Sequence, residues 1–73
     1  MNIYLLDPRS DIFQTFQDAN QLFGFLNRSS RNMKGKTLIV RKGDKAKVFE
    51  LNNESPSEIH MLTMMLQNDL IKA

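Results

Sequence analysis

The stretch Lys36–Leu51, KTLIVRKGDKAKVFEL, constrains the fold of this chain more than any other. Thr37-Leu38-Ile39-Val40 leads into Lys42-Gly43-Asp44-Lys45, and Ala46-Lys47-Val48-Phe49 leads out. β-branched and aromatic side chains suit a pleated, half-buried surface. Glycine reaches positive φ without a steric penalty, so Gly43-Asp44 reads as the turn of a β-hairpin. A lone hairpin is marginal in water and needs a cover for its apolar face. Helical patterns with apolar stripes stand on both sides of it, and together they define a small α+β domain.

The hairpin register has two solutions. A two-residue turn places Leu38, Val40 and Phe49 on one face beside Lys47. A three-residue loop aligns Leu38, Val40, Ala46 and Val48, which is the better core face, and leaves Ile39, Arg41, Lys47 and Phe49 on the other. In both, one face mixes apolar groups with cations.

Before the hairpin, Asn2–Leu6 reads as a short buried strand, ended by Asp7-Pro8, because proline removes a donor and biases its predecessor toward extended geometry. Residues Ser10–Asn27 divide. Ile12, Phe16, Ala19, Phe23 and Leu26 are spaced as one face of an amphipathic helix capped by Ser10 or Asp11, with Phe13, Leu22 and Phe25 widening the stripe. The rival is a strand over 12–16 and a helix capped by Asp18. The longer helix is the favoured reading. Gly24 weakens either helix by roughly 1 kcal/mol relative to alanine, a cost that suggests close packing of helix on sheet or simple tolerance. Arg28–Gly35 (RSSRNMKG) is a loop of turn formers.

After the hairpin, Ser55-Pro56-Ser57-Glu58 is a capping box with proline at the first helical position. It starts a helix from Pro56 to about Ile71. Ile59, Leu62, Leu66 and Leu70 form its core stripe, Met61 and Met65 flank them, and Met64 and Ile71 lie roughly opposite. The expected fold is one domain over residues 1–73, β-α-β-β-α. Both helices pack on one face of a small mixed sheet, and a β-α-β crossover is right-handed if the first strand runs parallel to the hairpin.

Composition narrows the class of protein. Seventy-three residues bury only about 60% of the unfolded surface, so stability is marginal unless a second subunit contributes. The chain has no cysteine, which removes disulfides and thiolate metal sites and fits a reducing, cytoplasmic setting. The apolar run Ile3–Leu6 is too short for a membrane span or a signal-peptide core.

Catalytic and metal signatures are lacking, and no cofactor is implied. His60 is the single histidine, on the helix side shared by Met64 and Ile71. Asp7 and Asp11 are too few for a metal site. Lys34-Gly35-Lys36-Thr37 contains Gly-Lys-Thr but lacks the upstream glycine of a phosphate loop, and a strand follows it.

Two features point to binding. Arg28, Arg31, Lys34, Lys36, Arg41, Lys42, Lys45 and Lys47 stand against the single anion Asp44, so this segment carries +7 while the rest of the chain carries −5. Such segregation makes a local field that suits a polyanion or an acidic partner, although lysines also guard sheet edges. The last helix exceeds what one sheet face covers, and Met61, Met64, Met65 and Ile71 are candidate interface residues, methionine being over-used at adaptable surfaces. The expectation is a non-enzymatic regulator or inhibitor that binds a protein partner through the basic hairpin and the apolar helix, with a homodimer as one outcome and no membrane contact. The size of the chain, which starts at its own methionine, suits a stand-alone protein of viral or mobile-element origin. The alternative is nucleic-acid binding to the phosphate backbone through 28–47, with Phe49 and Tyr4 the aromatics available for base stacking.

Overall fold

The computed structural model describes residues 2–9, 12–28 and 33–72. Within them the elements are β1 (Asn2–Asp7), β2 (Ile12–Phe16), α1 (Ala19–Arg28), β3 (Thr37–Lys42), β4 (Lys45–Glu50) and α2 (Pro56–Lys72). The strands form one sheet in the order β2-β1-β3-β4. Every neighbouring pair is antiparallel. The α+β class, the hairpin and the two helices are therefore as the sequence pattern implies.

The N-terminal third differs from the favoured reading. Residues 12–16 are a strand, so the order is β-β-α-β-β-α. A spacing of four residues fits one face of a helix and equally one face of a strand, because four is also a multiple of two. Tertiary pairing decides between them. β2 runs in register with β1, from Ile3 opposite Phe16 to Asp7 opposite Ile12, which satisfies a β1 edge that a helix would leave open. Local chemistry agrees. Asp18 Oδ1 accepts the Gln21 N–H at 2.8 Å, while Gln21 Oε1 accepts the Gln17 N–H at 3.0 Å. Asp18 is thus the N-cap of α1.

The sheet is not mixed at any adjacent pair. β1 is antiparallel to β3, so the first strand and the hairpin form no parallel crossover. Strands one place apart in the sheet run parallel, β1 with β4 and β2 with β3; β2 and β3 are joined through α1 with β1 between them, which is a split β-α-β arrangement. In each half the second strand is the edge strand and the first lies inside, and each half is a strand pair followed by a capped helix. In the second half Ser55 Oγ accepts the Glu58 N–H at 3.2 Å and Glu58 Oε1 accepts the Ser55 N–H at 3.1 Å. That is the reciprocal capping box expected from Ser-Pro-Ser-Glu.

The hairpin takes the two-residue turn, with Lys42 opposite Lys45, Val40 opposite Lys47 and Leu38 opposite Phe49. Gly43 has φ of +63°, a conformation that glycine adopts without Cβ strain. The three-residue alignment of Leu38, Val40, Ala46 and Val48 does not occur. Past the strand ends, the Leu51 N–H donates to the Lys36 carbonyl at 2.8 Å and the Gly35 N–H to the Leu51 carbonyl at 3.0 Å. The ladder thereby reaches Leu51 and brings that side chain into the core.

Both helices cover the face of the sheet that carries Ile3, Leu5, Phe16, Leu38 and Val40. These join Leu22 and Leu26 of α1, Ile59 and Leu70 of α2, Met33 and Leu51 in one buried cluster. Each such side chain contributes about 1.5–3 kcal/mol relative to exposure. Phe25 packs on Phe16 with ring centroids 5.4 Å apart. Thr63 is also fully buried, and its hydroxyl donates to the Ile59 carbonyl at 2.7 Å, so no polar group there goes unpaired. Among the described residues no helix lies over the opposite sheet face. Its row Thr15, Tyr4, Ile39, Val48 crosses all four strands.

Candidate functional site

The seven described cations of the basic segment do not form one patch. Strand geometry separates them, because neighbours on β3 point to opposite faces and the strand advances about 3.4 Å per residue. Lys36 and Lys42 thus stand about 20 Å apart at that rise, at opposite ends of β3. Lys36 Nζ is 3.0 Å from Asp7 Oδ2, so its charge is compensated across the sheet. Arg28 donates from Nε to the Gly24 carbonyl at 3.1 Å, closing the C-terminal turn of α1. There a cation also suits the helix dipole. Arg31 lies outside the described residues. Lys34 lines a shallow concavity of about 420 Å³ together with Arg9, Gly35, Glu50, Leu51 and Asn52.

The remaining four gather at the β3–β4 turn. The register puts Lys42, Lys45 and Lys47 on the helix-side face and Arg41 on the open one. Arg41 donates from Nε to the Gly43 carbonyl at 2.7 Å, and this holds the guanidinium at the turn. Among the described residues, Lys42, Lys45 and Lys47 make no ion pair. All of β4 is exposed along its length, and as an edge strand it also offers unpaired backbone groups on its outer side. Phe49, 37% exposed, projects to the helix side, whereas Tyr4 belongs to the open face. The two aromatics cannot form one stacking platform.

On α2 the expected surplus of apolar surface is present. Met61, Met64, Met65 and Ile71 are 65, 52, 61 and 59% exposed. The buried side is Ile59, Thr63 and Leu70, with Leu62 and Leu66 half-buried beside it. At 3.6 residues per turn the exposed positions Glu58, Met61, Met64, Met65, Asn68, Asp69, Ile71 and Lys72 occupy a continuous outward arc of about 160°. Its charges, Glu58, Asp69 and Lys72, lie toward the two ends of the helix. His60 borders this arc and rests on Phe23 of α1, ring centroids 5.0 Å apart.

Thr63, Met33 and the open sheet face escape the sequence pattern. Threonine scores as polar, yet on the helical wheel it falls about 20° from Leu70 and about 40° from Ile59, which is a usable signal. Met33 falls in a stretch without periodicity and carries none. Among the described residues no group of three or more His, Cys, Asp or Glu side chains is placed to hold a metal ion, and no helix is long and apolar enough to cross a membrane. No family model, curated protein or solved structure matches the chain.

Proposed function

We propose that this chain is a small non-enzymatic interaction module, a regulator or inhibitor that docks a protein partner through the outward face of α2. The turn of the basic hairpin is its second contact. One observation carries the reading: four long apolar side chains stand in solvent on a single helix whose opposite side already fills the core. A contiguous exposed apolar surface of this kind marks association sites, and methionine adapts its shape to what covers it.

A second reading, phosphate-backbone binding, is favoured by the cluster of Lys42, Lys45, Lys47 and Arg41 at one end of the hairpin. It predicts a salt signature that apolar docking lacks. Four duplex phosphate contacts give a slope of log affinity against log salt near −3.6, about −0.9 per contact.

The two are separated by capture of partners from lysate with the wild type and with Met61→Lys/Met65→Lys, each with and without nuclease, beside a titration of labelled DNA and RNA at two salt concentrations. A protein retained by the wild type after nuclease and lost by the double variant supports docking through α2. Nucleic-acid binding with the steep slope, abolished by reversing Arg41, Lys42, Lys45 and Lys47 to glutamate, would replace it.

A further inference from the structure

We propose that the occupant of the α2 face is a second copy of this chain, its α2 lying antiparallel to the first about a two-fold axis near Met64 and Met65. The inference rests on the reading of that face as a docking surface and adds the identity and geometry of what docks.

Three observations converge on it. The first is spacing. Glu58, Met61, Met65, Asn68 and Lys72 recur at intervals of 3, 4, 3 and 4, the heptad spacing with which one helix faces another. This stripe is separate from the Ile59, Thr63, Leu70 side that meets the sheet.

The second is charge. The stripe begins with an exposed carboxylate, Glu58, and ends with an exposed ammonium, Lys72, with Met65 midway between. Antiparallel pairing about that midpoint sets Glu58 of each copy beside Lys72 of the other and Met61 level with the step from Asn68 to Asp69. Parallel pairing would instead set Glu58 against Glu58 and Lys72 against Lys72. It would also align the helix dipoles unfavourably.

The third is area. The four exposed apolar side chains amount to on the order of 450 Å² per copy, of which Met61 and Met65 on the stripe supply about half, against about 800 Å² per partner in a standard-size interface. The flanking Asn68 and the methylene stem of Lys72 supply more. An interface of this size gives a dimer that dissociates on dilution.

Because the chain has no cysteine, single cysteines report the geometry directly. Sedimentation of the wild type over a wide concentration range is expected to move from monomer to dimer, and Lys72→Glu to raise the dimer dissociation constant several-fold. Under mild oxidation Met65→Cys is expected to form a disulfide dimer. Met61→Cys alone is not, whereas an equimolar mixture of Met61→Cys and Asn68→Cys yields a crossed one. Circular dichroism of each variant checks that the fold is retained.

Self-cross-linking of Met61→Cys as efficiently as Met65→Cys would overturn the antiparallel arrangement. A wild type that stays monomeric at every concentration, with no cross-link in any variant, would overturn self-association altogether. Docking of a different protein on the same face would then stand or fall by the capture experiment alone.

Discussion

Gly24→Ala and Gly43→Ala are the same chemical change and should act with opposite signs. Gly24 lies inside α1, and a Cβ built on it would meet only Arg28 Nη2, at 3.9 Å. That is ordinary contact with the end of a flexible side chain, so nothing in the packing requires glycine there. Alanine is better than glycine in a helix interior by about 0.8–1.0 kcal/mol. Gly24→Ala should therefore stabilise the domain by about 0.5–1 kcal/mol. At Gly43 a Cβ also meets open space, but φ is +63°, and an L side chain held in that region costs roughly 1–2 kcal/mol. For a domain of this size 1 kcal/mol moves Tm by about 4–8 °C. The first variant should melt a few degrees higher and the second about 5–15 °C lower. Thermal and urea unfolding followed by far-ultraviolet circular dichroism would measure both, at one fixed protein concentration because association itself shifts Tm. An unchanged urea m-value would show that stability itself, not the surface exposed on unfolding, has changed. Destabilisation by Gly24→Ala would refute the reasoning, since it would mean that the glycine serves a close approach. A neutral Gly43→Ala would refute the two-residue turn.

Three further substitutions test other parts of the fold. Ser55→Ala should cost roughly 1 kcal/mol through loss of the α2 cap, read as a lower urea midpoint; no change would mean that the helix begins elsewhere. Asp18→Ala should cost a similar amount as an N-cap, whereas in the interior of a longer helix alanine would be the better residue, so the sign of the effect tells strand β2 from helix. Lys36→Met and Asp7→Asn in a double-mutant cycle should show a coupling below about 1 kcal/mol that shrinks with added salt, as expected of a partly exposed pair.

How legible the fold was depended on how local each signal is. Ser55, Pro56 and Glu58 act within one turn of chain, and the α2 boundary followed from them alone. Gly43 is equally local. Residues 12–16 were not legible, because their spacing satisfies two periods and only β1, several residues away along the chain, breaks the tie. The register of the hairpin stayed open between two solutions for a more instructive reason. Aligning Ala46 and Val48 with Leu38 and Val40 gives the more apolar face, but α1 and α2 already supply enough apolar surface to bury Leu38 and Val40. The sheet can therefore adopt the tighter turn and leave β4 outside the core, with Val48 65% exposed.

The basic segment makes the same point for function. Cations that crowd one segment of the sequence are dispersed over α1, a turn and two strands, and within β3 alternation sends Arg41 and Lys42 to opposite faces. Asp7, remote in sequence, then neutralises Lys36 through the pairing of Leu6 with Thr37. Charge density along a chain therefore overstates charge density on a surface wherever the segment is a strand. A helix behaves differently, because positions at intervals of three and four stay together in space. Met61, Met64, Met65 and Ile71 were grouped by such spacing, and the structure leaves them all in solvent on one side. In a two-layer domain this small, the core takes one side of each helix and has no use for the other. Ordinary selection for solubility would make that other side of α2 polar. It is apolar through the middle and charged at both ends, as the face of a helix that meets another helix would be.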